Sequence, residues 1–275
     1  MSKNALIRRA REAKSWLMDA CFPLWAEAGV EDGVFAERLD LQHRPDPSDE
    51  TRVRVQARQT YVFCQAQRLG WRTERSRKLI DLGVSVLDGA SRRPDGLMGR
   101  VLDRSTAQLL DPTADLYDTA FALFAFSHAA HRRDGSGRAL AAAGRTVKAL
   151  SAIEDPAGGY AEGIPRPANR LQNPHMHLLE AYLAFQAVAP GEVRRNRVRS
   201  LRDLGLQRFF EAAQSDAILE VFDRDWTPID DTIEPGHQFE WCRLLGMTAE
   251  VLSESSSSEI AAVYAAGLRG LDAEG

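Results

Sequence analysis

The sequence has few of the features that mark secreted, zinc-binding or membrane proteins. It holds three cysteines, Cys21, Cys64 and Cys242, which are far apart and odd in number. That spacing argues against a disulfide framework, forms no CxxC zinc pair, and favours a reducing compartment. No apolar run approaches membrane-spanning length, and the charged start, residues 1–14, lacks the apolar core of a signal peptide. We therefore expect a cytoplasmic protein without a membrane partner.

An excess of positive charge is also lacking. The net charge is −4, and acidic residues are interleaved with the arginines almost everywhere, which argues against a nucleic-acid partner. The remaining composition is that of an ordinary globular protein, with 44% hydrophobic and 27% charged residues. A chain of 275 residues can build one large core, and we predict a single domain over residues 1–275.

Hydrophobic spacing with a period near 3.6 residues predicts helices along most of the chain. The predicted helices are Lys3–Glu27, Thr51–Leu69, Glu74–Leu87, Leu116–Ala130, Arg138–Ile153, Asn173–Val188, Val193–Ala213, Pro235–Leu252 and Glu259–Leu268. Short ribbon-like pieces containing Val34, Leu97, Tyr160 and Val221 precede successive helix pairs at intervals of 63, 63 and 61 residues. A fixed interval of this size indicates a repeated unit, here ribbon, loop, helix, helix.

A helical hairpin cannot bury its own apolar faces, so the repeated units must stack, either as an open solenoid or as a closed ring. The first helix of each pair is the more apolar and suits an inner layer. The polar residues of interest all fall on first helices. They are Arg54, Arg58, Tyr61 and Gln65; Tyr117 and Asp118; Asn173, His177 and Glu180; and His237 and Glu240. If the first helices line one axis, these side chains converge on a site.

Two clusters contain the residue types needed for acid–base chemistry. Asn173, His177 and Glu180 form one stripe of a helix that is otherwise apolar, which predicts either a site or a satisfied buried network. His237 and Glu240 are neighbours in the first turn of another helix. A carboxylate there would raise the basicity of the imidazole, or the two would form a helix-end ion pair. Arg58 lies among apolar residues and needs a partner, either an oxyanion or a glutamate.

The segments around Arg58, Asn173–Glu180 and Pro235–Trp241 together resemble the N-acylglucosamine 2-epimerase superfamily, which includes mannose isomerases and cellobiose 2-epimerases. The resemblance implies an all-α fold, an (α/α)6 barrel of helical hairpins with short β-ribbons in the loops, and a sugar in the axial pocket. It implies proton transfer beside a sugar carbonyl without a metal or another cofactor. On the family motif, His237, Glu240 and His177 are the catalytic residues. The expected sugar-binding residues are Arg58, Asn173, Glu180, Tyr117 and Trp241.

The chain departs from the family pattern near its end. The family has a second acid–base histidine on a late inner helix, whereas none of the six histidines here follows His237. A ring of six hairpins would need roughly a third more chain. We therefore expect about two-thirds of the ring, incomplete at the C-terminus, and weak or no activity from these 275 residues alone.

Within the family, the sequences of the segments His175–Glu180 and Gln238–Trp241 are more similar to those of mannose isomerases. We therefore predict an aldose–ketose isomerase acting through a cis-enediol. A sugar 2-epimerase is the first alternative, and homodimerisation is a family-level expectation. Other classes stay open: a metal enzyme using His175, His177 and nearby acids, a glycoside hydrolase using Glu180 and Glu240, and an inactive helical-repeat binding protein.

Overall fold

A computed structural model of the chain describes residues 3–131, 136–210 and 216–271. Helices dominate, and their bounds are α1 Lys3–Trp16, α2 Phe22–Ala28, α3 Val53–Leu69, α4 Thr73–Asp88, α5 Leu116–Ala130, α6 Ser136–Leu150, α7 Gln172–Val188, α8 Glu192–Leu204, α9 Pro235–Leu252 and α10 Ser257–Arg269. Short π-helical turns, Leu17–Cys21 and Gly205–Phe210, join α1 to α2 and continue α8.

The strands are two or three residues long and form small antiparallel ribbons in the loops. They are β1 Val30–Glu31, β2 Val34–Phe35, β3 Glu50–Arg52, β4 Val101–Asp103, β5 Leu109–Asp111, β6 Ala114–Asp115, β7 Gly163–Ile164, β8 Arg170–Leu171 and β9 Val221–Phe222. β1 pairs with β2, β4 lies between β3 and β5, β6 pairs with β7, and β8 pairs with β9.

The chain divides into two compact units. The first unit contains Met1–Arg92 and Gly99–Pro112, and the second contains Arg93–Met98 and Thr113–Gly275. The first unit therefore holds α1–α4 with β1–β5, and the second holds α5–α10 with β6–β9. The single domain over residues 1–275 stays a prediction.

Local sequence explains where several helices begin and end. Pro235 opens α9, where its missing N–H leaves no bond unmade. The carboxylate of Asp115 caps α5 by accepting from the N–H of Asp118. Gly70 ends α3 with φ 86°, a left-handed conformation that glycine adopts without strain.

The predicted helices agree with the observed ones to within a few residues, except where π-helical turns intervene. The predicted helix Val193–Ala213 ends its α-helical part at Leu204 and continues as a π-helical turn to Phe210; positions 211–213 lie outside the described residues. The ribbon expected at Asp95–Met98 is shorter than a strand pair, with a β-bridge at Met98 and a hydrogen bond from the N–H of Arg93 to the carbonyl of Leu97. That segment is a turn, in which Gly96 has φ 90°, and the strand follows at β4.

Two first helices of the second unit, α5 and α7, are buried, whereas the third, α9, buries one face. α5 and α7 pack against each other and are buried around most of their circumference. The second helix α8 buries one face, formed by Val198, Leu201, Arg202 and Leu204. A helix that is apolar nearly all round was predicted at α7, and its burial confirms that interpretation.

Among the described residues, no helix combines the length and the apolar character needed to cross a bilayer.

Candidate active site

His237 lies in the first turn of α9, where a carboxylate holds one edge of its ring. Its Nδ1 atom is 3.1 and 3.0 Å from the two carboxylate oxygens of Glu220. An ionised carboxylate only accepts hydrogen bonds, so Nδ1 is the donor. The neutral ring then carries its lone pair on Nε2. In the part of the chain that the structure describes, no group hydrogen-bonds to Nε2.

This contact makes His237 a stronger base than an isolated imidazole. The hydrogen bond to Glu220 raises the pKa of His237 in spite of partial burial, and the charges of Glu220, Glu240 and Glu234 add to the rise. The side chain is 21% exposed, so a ligand can reach it. An accessible imidazole with a fixed tautomer can act as a general base near neutral pH.

A ribbon delivers Glu220 to this position. Glu220 directly precedes β9, which pairs with β8, and β8 leads directly into α7. The N–H of Gln172, the first residue of α7, donates to the backbone oxygen of Glu220 at 3.1 Å. The sequence had suggested Glu240 as the partner of His237. The hydrogen-bonding carboxylate is instead Glu220, which ribbon pairing rather than helical spacing brings there.

His177 is buried on α7 between two acidic residues and two aromatic rings. Its Nδ1 is 3.3 Å from Glu180 Oε2, and its Nε2 is 3.9 Å from Glu240 Oε2. The Tyr117 ring meets the imidazole edge-on at 5.1 Å between centroids, and the Phe121 ring lies 4.6 Å away. Helices α5, α7 and α9 therefore bring Tyr117, His177 and Glu240 together, as the convergence of first helices predicts for this unit.

Glu180 is held in its ionised form by two partners. It accepts from His177, and its second oxygen accepts from Arg243 Nη1 at 2.8 Å. Burial alone would raise the pKa of Glu180, but the hydrogen bonds from His177 and Arg243 hold it below the ordinary value. The contact of His177 with Glu180 is local, within one turn of α7.

The contacts between α7 and α9 rise along both helices together. Gln172 meets His237 and Trp241, His177 meets Glu240, and Glu180 meets Arg243. Matched order of this kind means that the two helices run parallel. Each step places a polar side chain of one helix beside a partner on the other.

Trp241 departs from its predicted role in sugar binding. Its side chain is fully buried, with 0% exposure, and its Nε1 donates to Gln172 Oε1 at 2.7 Å. A sugar cannot touch an indole that is enclosed on all sides. Trp241 is a supporting residue behind His237, and the correction follows from its packing.

The other predicted sugar-binding residues differ in their burial and in the unit to which they belong. Asn173 is half-buried in the first turn of α7, and its buried Oδ1 has no hydrogen-bond partner within the described ranges. Tyr117 is half-buried on α5. Arg58 is exposed on α3, in the first unit, and its contact with a sugar stays a prediction.

Three residues of the site were missed by sequence reasoning. Glu220 could have been suspected because it is the only charged residue in the otherwise apolar segment Leu219–Phe222. Arg243 continues the three-residue spacing of His237 and Glu240. Gln172 carried no signal, because a glutamine at a predicted helix start is common and its partners lie 48 to 69 residues away.

His175 is a structural residue. Its ring is fully buried, and burial lowers its pKa to about 4. Nε2 accepts from the N–H of Tyr160 at 3.0 Å, and Nδ1 donates to the Leu171 carbonyl at 2.9 Å. With both nitrogens engaged, His175 cannot join His177 in a metal site. Across the described ranges, no three His, Cys, Asp or Glu side chains are grouped to share a metal ion.

Comparisons with known proteins agree on one family. The sequence model for N-acylglucosamine 2-epimerase (GlcNAc 2-epimerase) matches residues 33–270. A mannose-6-phosphate isomerase of Rhizobium meliloti (strain 1021) is 37% identical over 254 residues, which cover 88% of this chain and 64% of that protein. The chain therefore spans somewhat less than two-thirds of the length of this relative.

Solved structures show the same fold. The cellobiose 2-epimerase from Spirochaeta thermophila DSM 6192 matches with a TM-score of 0.88 at 23% identity, over 99% of this chain and 72% of that one. A D-mannose isomerase matches with a TM-score of 0.82 at 20% identity, over 98% and 71%. These matches confirm the predicted fold class, helical hairpins of the (α/α)6-barrel type. On the match over residues 33–270, this chain belongs to the N-acylglucosamine 2-epimerase family.

Proposed function

We propose that the protein interconverts an aldose and a ketose of the mannose–fructose type by moving a proton between C2 and C1 through a cis-enediol. The observation that carries this proposal is the setting of His237. Its Nδ1–H is bound to Glu220 at 3.0 Å, and its accessible side chain leaves Nε2 for a ligand. A metal-free proton transfer needs a base of this kind, and relatives of the chain bear the names of sugar isomerases and epimerases.

The proposed reaction begins with the open-chain aldose. Nε2 of His237 takes the C2 proton, the C2–H electrons form the C1=C2 bond, and the carbonyl oxygen gains a proton from a neighbouring acid. The protonated His237 then returns its proton to C1 while an enediol hydroxyl loses one, which yields the ketose. Glu220 stabilises the imidazolium formed in between, since the two are joined by a charge-assisted hydrogen bond.

The residues around His177 are assigned to binding the sugar. His177 and Glu240 face each other at 3.9 Å, close enough for a hydroxyl group to bridge them. The buried Oδ1 of Asn173 has no partner within the described ranges, and a turn of this half-buried side chain would let it accept a hydrogen bond from a further hydroxyl group. Glu240, which is 52% exposed, can shuttle a proton between the enediol oxygens, and Arg58 is a further candidate on the family motif.

A sugar 2-epimerase is the second candidate, and a second imidazole favours it. Epimerisation at C2 requires a proton to arrive on the face opposite the one it left, so two groups are needed. His177 lies on α7, beside the helix α9 that carries His237, and it could be the second proton-transfer group. Isomerisation needs one base on one face, which His237 supplies by itself, and we therefore prefer it.

Glycoside hydrolysis fits the geometry less well. A hydrolase needs one carboxylic acid that stays protonated near neutral pH. Glu180 has the opposite tendency, because His177 and Arg243 hold its pKa below the ordinary value. Proton abstraction by an imidazole requires no such acid.

The test is a panel of sugars incubated with the protein in D2O and followed by NMR. Mannose, mannose 6-phosphate and cellobiose sample the substrates named by the relatives. We expect deuterium at C1 of a ketose product from one of the first two. Deuterium at C2 of an epimer would favour the second candidate. Shortened oligosaccharides without deuterium uptake would indicate hydrolysis. Because weak activity is expected of these 275 residues, the protein is used in large excess, and no change in any sugar would then contradict both proposals.

A further inference from the structure

A chain of hydrogen bonds leads from a buried tryptophan to the edge of His237. Trp241 Nε1 donates to Gln172 Oε1 at 2.7 Å, and Gln172 Nε2 donates to Glu220 Oε2 at 2.9 Å. Glu220 in turn accepts from His237 Nδ1. Trp241 and Gln172 are both 0% exposed, and the Glu220 side chain is 12% exposed. The chain of bonds is therefore shielded from water and from exchange of partners.

The bonds in this chain can point in one direction only. An indole N–H is a donor and never an acceptor, so the amide oxygen of Gln172 must face Trp241. The amide nitrogen of Gln172 must then face Glu220, and the carboxylate accepts from it. A flipped amide would set oxygen against the carboxylate and nitrogen against the indole N–H, which creates two repulsive contacts at once.

With the amide nitrogen of Gln172 turned this way, Glu220 is the acceptor available to a proton on His237 Nδ1. Gln172 Nε2 is also 3.1 Å from His237 Nδ1. Both are donors when the ring carries its proton on Nδ1, so that proton is directed to Glu220 rather than to the amide. The charged groups facing His237 from its surroundings in this unit are Glu220, Glu234 and Glu240.

The Trp241 indole packs against the π-helical turn that follows α8. A Cβ atom at Gly205, in the π-helical turn after α8, would lie 2.4 Å from Trp241 Cη2 and 2.7 Å from Cζ3. Glycine at this position lets the ring enter fully and brings its N–H to Gln172. The indole is thus fixed by packing on one side and by its hydrogen bond on the other.

We propose that Trp241 and Gln172 are positioning residues, which hold the Glu220 carboxylate so that neutral His237 keeps its proton on Nδ1 and presents Nε2 as the base. The assignment rests on the proposed function for its role in catalysis. Its physical content, the tautomer of one imidazole, can be measured without any substrate.

The test compares two substitutions with a matched control. Trp241→Phe keeps a buried aromatic ring and removes the indole N–H, and Gln172→Met keeps the length of the side chain and removes both of its bonds. Trp226→Phe is the control, because Trp226 is also buried and also loses an indole N–H, there bound to the carbonyls of Ala157 and Gly158. Ring-nitrogen NMR of His237 reports both the tautomer and the titration midpoint.

In Trp241→Phe and Gln172→Met we expect the His237 midpoint to fall toward the ordinary imidazole value and the neutral ring to become a mixture of tautomers. Trp226→Phe should leave both quantities as in the wild type. Where the chain is active, kcat should fall about tenfold with little change in KM, as for loss of one hydrogen bond to a charged group.

Two results separate the failure of this inference from that of the proposed function. An unchanged tautomer and midpoint in Gln172→Met, the variant that retains Trp241 and its packing, would overturn the positioning role even in an active enzyme. If the wild type exchanges no deuterium with any sugar while both variants shift the titration as expected, the positioning network stands and the proposed reaction fails.

Discussion

At the scale of single residues, His237 is held by a carboxylate at Nδ1, and no described residue hydrogen-bonds to its Nε2. Glu220 binds Nδ1 and raises the pKa of His237, while Gln172 and Trp241 hold Glu220 from behind. His177 has a comparable support in Glu180. The two imidazoles differ in burial, since His177 is buried and His237 is partly exposed. This difference favours His237 as the group that contacts the reacting carbon.

Glu220→Gln should destabilise the protein most strongly at low pH. A histidine whose pKa is raised by folding stabilises the folded state below its unfolded pKa, which is about 6.5. That contribution is lost as the pH rises through the raised folded value. We expect a loss of about 1 kcal/mol in the free energy of unfolding below pH 6. This is less than the roughly 1.5–3 kcal/mol of a hydrogen bond to a charged group, because the pair is partly exposed to solvent. The loss should shrink as the pH increases, as urea unfolding will show.

The control for this variant is Glu250→Gln, on an exposed position of α9, the helix that carries His237. It removes the same charge without touching an imidazole, so its effect should show no step near neutral pH. If Glu220→Gln destabilised the protein equally at pH 6 and pH 9, the His237–Glu220 pair would not exist in solution.

At the scale of elements, the parallel helices α7 and α9 and the ribbon β8–β9 form one assembly. The ribbon carries Glu220 to the N-terminal end of α7, and α9 starts beside it with His237. The π-helical turn after α8 backs α9 through the contact of Gly205 with Trp241. The site therefore depends on a close approach that a single methyl group would block.

Gly205→Ala should be destabilising although alanine is the better helix former. The added methyl would lie 2.4 Å from Trp241 Cη2, and the fully buried indole can move away only by displacing its neighbours. Overpacking of this kind costs roughly 1–3 kcal/mol. Urea unfolding at neutral pH measures the difference.

Gly246→Ala supplies the comparison on α9. Outside the local backbone of α9, no atom of the described residues lies within 4 Å of a Cβ placed there, so the substitution should stabilise the helix by about 0.5–1 kcal/mol. Opposite signs for the two glycines are the expected outcome. A Gly205→Ala variant as stable as the wild type would mean that the indole is not seated as described.

At the scale of the whole chain, helices were predictable and their connections were not. Hydrophobic spacing and the residues that start or end helices are local signals, and they predicted the bounds of α5 and α9 to the residue. The pairing of β8 with β9 joins residues about 50 positions apart. Helical spacing reports only on neighbours within a few residues, so it could not predict this pairing. Glu220 was overlooked for that reason, and Trp241 was assigned to the sugar because a motif does not show which of its residues are buried.

The family resemblance added what periodicity could not supply, the barrel class and the chemistry. The fold matches confirm the class. The single domain, the contact of Arg58 with a sugar and the weak activity expected of 275 residues stay predictions. Each concerns relations across the chain rather than the contacts within one unit.

The most direct test of the central claim, that His237 removes the proton at C2, is deuterium uptake by mannose in D2O with His237→Asn beside the wild type. His43→Asn is the matched control, because His43 is an exposed residue of the first unit with φ 63°, a conformation that asparagine tolerates. We predict that His43→Asn exchanges at the wild-type rate and that His237→Asn is slower by a factor of about 100 or more. Measurable exchange by the wild type that is equally fast in His237→Asn would contradict the account.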